Sequence, residues 1–184
     1  MKNKKDYLRK KFKLIRKKKY FELNNSFFNP LFLLLKKRLK KNKINLSIYY
    51  PSNYEVNTLK LFENINIKNM QTLLPSISNK KMKFYKWNNK DPLFVNQYGM
   101  LEPSINSKSI LPDVVLAPLL AYDLKKYRLG YGKGYYDKFL SKYLKINKNI
   151  LTAGVAFSFQ KYNKLPTSDY DVKLDYILTE KGIY

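Results

Sequence analysis

Apolar residues recur at the spacing of an amphipathic helix near the start of the chain. In residues 3 to 23 they follow one another at intervals of about one helical turn, while most other positions are lysine or arginine. These apolar positions are Tyr7, Leu8, Phe12, Ile15 and Tyr20. The pattern predicts a basic helix that packs one side on the core. Residues 31 to 40, after the Asn29-Pro30 break, and residues 55 to 62 predict two further short helices.

Short apolar runs that end near proline, glycine or asparagine predict the strands of a sheet. Residues 114 to 117 read Val-Val-Leu-Ala, and such a run is typical of a strand buried on both faces of a parallel sheet. The other predicted strands are residues 45 to 50, 69 to 74, 83 to 87, 93 to 95, 150 to 156 and 176 to 178, with residues 98 to 112 as a loop. Because strands alternate with helical segments, we expect one α/β domain, residues 1 to 184, built on a mostly parallel sheet.

The net charge of +24 does not by itself indicate a protein that binds nucleic acid. Of the 37 basic residues, all but Arg9, Arg16, Arg38 and Arg128 are lysine, and the lysines are spread along the chain. Nucleic-acid recognition favours arginine, because a guanidinium group bonds phosphates and base edges in pairs. We therefore expect no specific nucleic-acid partner and interpret most lysines as solvated surface charge. A basic RNA-binding protein that uses this charge and exposed tyrosines is the alternative interpretation.

The chain has neither cysteine nor histidine. This excludes disulfides, thiolate zinc sites, imidazole metal ligands and histidine-activated nucleophiles. Any catalysis must use carboxylates, lysines, arginines, tyrosines and a bound metal. The longest apolar runs, residues 31 to 35 and 114 to 122, are shorter than the roughly 20 residues that span a bilayer. The charged N-terminus lacks the apolar core of a secretory signal, so we expect a cytoplasmic protein without a membrane partner.

The stretch from Arg128 to Asp137 holds three of the six glycines around a lysine. Glycine backbone lets successive N–H groups approach an anion, so this stretch predicts a phosphate-binding loop that leads into a helix ending near residue 143. It matches neither a Walker loop nor a dinucleotide fingerprint, which would require glycine at Tyr127 or Tyr135. An ordinary flexible turn is the alternative, but the flanking charges favour phosphate. Asp137, just past the loop, is well placed for the Mg²⁺ that accompanies ATP.

The carboxyl ends of parallel strands meet at one edge of a sheet, and ligands of such sheets collect there. Three segments follow predicted strands in this way. The first carries Ser52 and Glu55, the second carries Asp123 and the glycine loop, and the third follows Ala156. We expect these segments to share one crevice.

Several of these stretches together resemble the 5-formyltetrahydrofolate cyclo-ligase family. The strongest match is residues 113 to 118, then 121 to 123, then the block Arg-Leu-Gly-Tyr-Gly-Lys-Gly-Tyr-Tyr-Asp at residues 128 to 137. Weaker matches are residues 5 to 9, 50 to 58, 102 to 103 and 160 to 171. The resemblance implies a three-layer α/β fold similar to that of sugar-phosphate isomerases and CoA transferases. It also implies ATP-dependent conversion of 5-formyltetrahydrofolate to 5,10-methenyltetrahydrofolate with release of ADP and phosphate.

The resemblance assigns roles only to matching positions. The residues implied to bind ATP are Lys5, Arg9, Arg128, Leu129, Gly130, Tyr131, Gly132, Lys133, Gly134, Tyr135 and Tyr136. The residues implied to contact the folate are Tyr50, Glu55, Tyr98, Tyr131, Gly132, Lys133, Gly134 and Tyr135. Lys133 and Arg128 would be catalytic, while Asp137 and Asp175 would bind Mg²⁺.

Three positions depart from the family pattern. Leu119 stands where glycine is frequent, Tyr122 where phenylalanine is usual, and Tyr98 where tryptophan is common. None of these changes removes a charged group. The partners we expect are 5-formyltetrahydrofolate and ATP, with the chain a monomer or weak homo-oligomer. Another ATP-dependent enzyme of the same fold, with an altered pocket, is a further alternative.

Overall fold

The computed structural model describes residues 2–105 and 107–184. The helices are α1 (Lys2–Lys19), α2 (Asn29–Arg38) and α3 (Tyr135–Ile146), with 3₁₀ turns at Asn25–Phe28, Thr58–Glu63, Ile65–Asn69 and Ser158–Gln160. The strands are β1 (Ile44–Ser47), β2 (Met70–Ser78), β3 (Lys81–Lys86), β4 (Leu93–Val95), β5 (Leu101–Pro103), β6 (Val114–Pro118), β7 (Ala121–Tyr122), β8 (Arg128–Leu129), β9 (Leu151–Val155), β10 (Tyr176–Thr179) and β11 (Gly182–Ile183).

Seven of the described strands form a central sheet in the order β11-β10-β9-β6-β1-β2-β3. The five inner strands pair in parallel, whereas β3 and β11 pair antiparallel at the two edges. The predicted mostly parallel α/β sheet is therefore confirmed. Two small hairpins, β4–β5 and β7–β8, lie outside this sheet.

Apolar side chains cover both faces of the sheet and make it the middle of three layers. Along β6, Val114 and Leu116 pack with the α2 side of the core. Val115 and Ala117 point the other way and pack with the α3 side. All four side chains are at most 1% exposed, so β6 is the buried central strand that its apolar run predicts.

Helix α1 packs on the β7–β8 hairpin, through a face that differs from the predicted one. Leu8 and Phe12 are buried there with Leu120 and Leu129, as expected. Tyr7, however, is 64% exposed, and the helix ends at Lys19 instead of residue 23. Polar side chains share the inner face, where Arg9 donates to the Gly130 carbonyl and Arg16 to the Leu119 carbonyl.

Several other element bounds differ from the prediction, and three of these differences have a clear structural reason. Residues 55 to 62 do not form an α-helix: the chain turns at Glu55 and then enters the 3₁₀ segment Thr58–Glu63. Helix α2 starts at Asn29, since proline is accepted in a first helical turn. Strand β2 continues through Pro75. Its pairing with β1 ends at Leu73, so no residue of β1 needs the N–H group that proline lacks.

No helix in the described part of the chain is both long and apolar enough to cross a membrane.

Candidate active site

A cavity of about 570 Å³ lies at the carboxyl ends of the central strands. Its walls come from the segment after β1, the end of β6, the β4–β5 hairpin, the inner face of α1 and the glycine loop between β8 and α3. Every residue to which the family resemblance assigns a role lines this cavity, with the exception of Asp175. The expected third segment, after Ala156, does not reach the cavity wall. The volume is in the range of small-molecule sites, roughly 300 to 1,000 Å³.

The glycine loop turns sharply between β8 and α3. Gly132 has φ = 101° and Gly134 has φ = 69°, which are left-handed conformations that favour glycine. Helix α3 begins at Tyr135, directly after the loop, so its N-terminus faces the same cavity. Exposed Lys133 lies on the loop. Backbone N–H groups, a helix N-terminus and a mobile ammonium group together make this wall suited to an anion.

An ion pair closes the base of the loop. Arg128 Nη2 lies 2.8 Å from Asp137 Oδ1, and the same oxygen accepts a bond from the Val172 N–H at 3.3 Å. Arg128 Nε and the Tyr136 hydroxyl are buried and have no hydrogen-bond partner within residues 2–105 and 107–184. Burial also raises the pKa of Tyr136 well above the usual value, so this hydroxyl stays protonated. Both groups are donors of residues that line the cavity.

Helix α1 forms a second basic wall. Lys5 Nζ pairs with Asp171 Oδ2 at 2.6 Å, and Arg9 Nε donates to the Gly130 carbonyl at 3.0 Å. The Arg9 guanidinium lies so close to Gly132 that a Cβ there would be 3.2 Å from Arg9 Cζ. The absence of a side chain at residue 132 therefore lets α1 approach the loop. Lys5 and Arg9 share a face because they are four residues apart.

The segment after β1 places a carboxylate at another part of the cavity, which we call the Glu55 end. Glu55 Oε1 accepts a bond from the Tyr131 hydroxyl at 2.5 Å, and Oε2 accepts the Ser52 N–H at 2.9 Å. Burial raises the pKa of Glu55, while the Tyr131 hydroxyl and the nearby Arg16 guanidinium oppose the shift. Tyr49 and Tyr50 line the cavity beside it. This end offers a hydrogen-bond acceptor among aromatic rings.

Tyr98 belongs to the segment that joins β4 to β5 and reaches across to the glycine loop. Its hydroxyl oxygen lies 2.6 Å from that of Tyr135, the first residue of α3. Lys133 Nζ is 5.4 Å from the centre of the Tyr98 ring, within cation–π range. The hairpin and the loop are therefore in direct contact over the cavity.

Comparison with known proteins identifies the family. The model of the 5-formyltetrahydrofolate cyclo-ligase family matches residues 1–180. The chain belongs to this family. The family inferred from the sequence motifs is thereby confirmed.

Three similar proteins agree with this assignment. A 5-formyltetrahydrofolate cyclo-ligase of Haemophilus influenzae is 32% identical over 141 residues, which cover 73% of this chain and 74% of the relative. One of Mycoplasma genitalium is 33% identical over 136 residues, with 73% and 71% covered. The solved structure of Aquifex aeolicus 5,10-methenyltetrahydrofolate synthetase superposes with a TM-score of 0.73 at 31% identity, over 97% of this chain and 91% of the other.

Two carboxylates that the sequence places at the cyclo-ligase site have structural partners elsewhere. Asp175, predicted as a metal ligand, lies at the amino end of β10, where its Oδ2 accepts the Thr152 N–H at 2.8 Å and hydroxyl at 2.7 Å. The structure does not bring it together with Asp137. Asp123 accepts N–H bonds from its own turn and from Leu165, and so holds the β7–β8 hairpin instead of lining the cavity.

Arg16 and Asp171 are two polar residues of this region to which the sequence motifs assigned no role. Asp171 lines the cavity and neutralises Lys5. Arg16 is 1% exposed and lies behind the wall, bonded to Tyr131. A signal for Arg16 exists in the composition, because three of the four arginines in a lysine-rich chain converge on this site. Arginine persists where a planar, multidentate cation is needed.

Proposed function

We propose that the protein catalyses the ATP-dependent cyclisation of 5-formyltetrahydrofolate to 5,10-methenyltetrahydrofolate, with release of ADP and phosphate. Family membership over residues 1–180 supports the reaction. The observation that carries the proposal is the single cavity with two unlike ends. A glycine loop and a basic helix form one wall, and a buried carboxylate among aromatic rings forms the Glu55 end. Two substrates of different chemistry are thus accommodated side by side.

The reaction joins a phosphoryl transfer to a ring closure. The formyl oxygen of the folate attacks the γ-phosphorus of ATP, the bond to the bridging oxygen breaks, and ADP leaves with that electron pair. Nitrogen N10 then attacks the formyl carbon, the phosphorylated oxygen leaves as inorganic phosphate, and the N10 proton passes to solvent. Phosphoryl transfer depends on positioning and charge stabilisation more than on covalent enzyme chemistry. A chain without histidine and cysteine is suited to it.

The glycine loop and helix α1 supply most of the positive charge in this scheme. Lys133 reaches the transferring phosphoryl group and the formyl oxygen, and Arg128 stabilises the charge that develops on the phosphate oxygens. Lys5 and Arg9 hold the remaining phosphates from the α1 side. Backbone N–H groups of residues 129 to 136 surround the nucleotide, with the α3 N-terminus directed at the same charge.

The Glu55 end receives the folate in this proposal. The pterin ring carries N–H donors on one edge and needs acceptors there, which the Glu55 carboxylate provides. Tyr50 and Tyr98 offer ring surfaces that line the cavity. Tyr98 also lies against Lys133, so the folate and the phosphoryl group meet beside the same two side chains.

Mg²⁺ fits the donor set around Asp137. Within residues 2–105 and 107–184, no cluster of three or more metal-binding side chains is present. Mg²⁺ at nucleotide sites is usually held by one or two carboxylates together with phosphate oxygens and water. Asp137 lines the cavity beside the loop and would supply that carboxylate. Mg²⁺ neutralises phosphate charge when bound. We do not include Asp175 in this set.

Cellular context follows from the same proposal. The partners are ATP and 5-formyltetrahydrofolate, and the reaction needs no membrane and no nucleic acid. A monomer or weak homo-oligomer in the cytoplasm stays our prediction.

The experiment is a spectroscopic assay with purified protein. MgATP and 5-formyltetrahydrofolate together should produce methenyltetrahydrofolate absorbance, and leaving out ATP should abolish it. A protein that forms no such product under these conditions contradicts the proposal. Nucleotide hydrolysis that does not depend on the folate would instead indicate another ATP-dependent enzyme of this fold. RNA binding that survives physiological salt would favour the RNA-binding alternative.

A further inference from the structure

Arg16 is a buried cation that the proposed chemistry does not use. It lies on α1, is 1% exposed and is absent from the cavity wall. Its Nη1 donates to the Leu119 carbonyl at 3.1 Å, and its Nη2 donates to the Tyr131 hydroxyl at 2.5 Å. Nη1 also lies 4.0 Å from Glu55 Oε1. Arg16 therefore connects the exit of β6, the glycine loop and the Glu55 end.

The directions of these hydrogen bonds are determined by their chemistry. A guanidinium group only donates, so the Tyr131 oxygen must accept from Arg16. The single proton of that hydroxyl is then directed at Glu55 Oε1, 2.5 Å away. Glu55 Oε2 accepts the Ser52 N–H, which holds the other end of the carboxylate. The result is a one-way chain of donors from Arg16 through Tyr131 to Glu55.

The anchor of this chain is itself held in place. The Leu119 carbonyl accepts a second bond from Gln160 Nε2 at 3.1 Å, and the same nitrogen donates to the Leu120 carbonyl at 2.9 Å. Gln160 is 1% exposed, and its side-chain oxygen accepts the Phe157 N–H. Arg16 thus bonds to a rigid part of the fold and not to a free loop.

Fold stability alone does not explain why a buried arginine occupies residue 16. Its Nε is buried without a hydrogen-bond partner in the part of the chain that the structure describes, and a buried ion pair is often replaced by apolar side chains without loss of stability. Lysine, which supplies nearly all of the other positive charge here, has a single ammonium group. Arginine presents two separate nitrogens to Leu119 and Tyr131 at once. The geometry of the side chain therefore matters as well as its charge.

We propose that Arg16 is a positioning residue for the folate substrate, which acts through the Tyr131 hydroxyl to hold the Glu55 carboxylate as a fixed acceptor for the N–H donors of the pterin ring. This inference rests on the proposed function. It assigns Arg16 to recognition of the folate, although Arg16 itself touches no substrate.

The surroundings of Glu55 show why a cation is needed. Burial raises the pKa of Glu55, and the hydrogen bond from Tyr131 and the positive charge of Arg16 oppose this rise. The other titratable groups that face it are Tyr49, Tyr131 and Tyr136, whose pKa values burial raises well above the usual value. These tyrosines are neutral and offer no countercharge. Without Arg16, Glu55 takes up a proton at a higher pH than in the native protein.

The test compares Arg16→Met, Arg16→Lys and the control Arg38→Met, in which an exposed arginine at the end of α2 is replaced. We expect Arg16→Met to raise KM for 5-formyltetrahydrofolate about 10- to 100-fold, as loss of a hydrogen bond to a charged group does. In the same variant, KM for ATP should change less than about threefold. Raising the pH should partly restore folate KM in Arg16→Met, because Glu55 ionises again. Arg16→Lys should be intermediate and Arg38→Met unchanged.

Two further measurements test the role of Arg16 independently of the kinetics of Arg16→Met. If Arg16→Met does not fold, Tyr131→Phe breaks the same chain without removing the charge and should raise folate KM selectively. Infrared spectroscopy of Arg16→Met should show a protonated carboxyl band near neutral pH that is absent from the double variant Arg16→Met/Glu55→Gln. This band does not depend on turnover, so it separates failure of the Arg16 inference from failure of the proposed reaction. An equal rise in both KM values without pH dependence, or no band, overturns the inference.

Discussion

Arg128 and Asp137 lie on either side of the glycine loop, and their side chains are joined by an ion pair of 2.8 Å. The carboxylate that we propose for Mg²⁺ therefore also restrains the arginine that we propose for the phosphate. Both side chains belong to one unit, so a change in either alters the position of the other.

Asp137→Asn should weaken the use of MgATP. The amide keeps the shape of the side chain but removes the charge that pairs with Arg128 and that would hold Mg²⁺. We expect kcat/KM for MgATP to fall about 100-fold or more, with a higher Mg²⁺ concentration needed for half-maximal rate. Steady-state rates over a Mg²⁺ titration measure this. Asp169→Asn, which removes an exposed charge outside the cavity, is the control. Unchanged kinetics in Asp137→Asn would mean that the site is misplaced.

Lys133→Ala should lower turnover while the fold survives. The side chain is exposed, so we expect the melting temperature to stay within about 2 °C of the native value. Loss of a preorganised charge at the phosphoryl group should lower kcat about 100-fold or more. Lys142→Ala is a matched control, because Lys142 is also exposed and lies 5.0 Å from the ring centre of Tyr143. Equal effects of the two substitutions would contradict a special role for Lys133.

Two glycines of the loop should respond differently to alanine. In Gly132→Ala the new Cβ meets Arg9 at 3.2 Å and the backbone has φ = 101°, so the loop and Arg9 must both shift. We expect KM for ATP to rise about tenfold or more, since each lost charged contact is worth about 1.5 kcal/mol or more. In Gly134→Ala no atom lies within 4 Å of the new Cβ, and only left-handed strain of about 1 kcal/mol remains. Nucleotide titrations and thermal melts measure both effects, and a larger rise in ATP KM for Gly134→Ala would refute this ranking.

Asp171 should contribute to stability above acidic pH. Burial acts to raise its pKa, but bonds from Lys5 and Ser168 outweigh this, and the net effect is a lowered pKa. A carboxyl group whose pKa is lowered by folding stabilises the protein above its unfolded pKa of about 3.9, and this contribution is lost as the pH falls through the folded value.

The corresponding experiment is a comparison of melting temperatures. Native protein should melt higher than Asp171→Asn at neutral pH, and the difference should shrink as the pH falls below about 4. Asp169→Asn, two residues away and exposed, should show little difference at any pH. A difference between native protein and Asp171→Asn that persists unchanged in acid would show that the ion pair with Lys5 is not its source.

Local patterns explain why much of the fold was predictable from sequence. The apolar run of β6, the glycine loop and the amphipathic start of α3 are signals that lie within a few adjacent residues. Strands β5, β7, β8 and β11 have only two or three residues each, too few for a periodic pattern. Strand β2 was predicted to stop at Pro75, because the sequence does not reveal that its neighbour β1 has already ended there.

The candidate site was also only partly predictable from the sequence. The glycine loop, the pair Lys5 and Arg9, and Glu55 were each predicted from a short motif whose residues are neighbours in sequence. Arg16 was missed because charged residues on a helix are normally solvated, and here the inner face of α1 is partly charged. The partner of Lys5 is Asp171 and lies 166 residues away, a distance that no spacing rule covers.

That separation has a consequence for folding. The contacts of α1 with the loop and with Asp171 close chain segments of 121 and 166 residues. Contacts between distant parts of a chain form slowly, since the intervening segment must first be ordered. An emerging polypeptide that has paired β1 with β2 still lacks the basic wall of the cavity. Nucleotide binding should therefore be among the last properties that the chain acquires, which makes it a sensitive probe of complete folding.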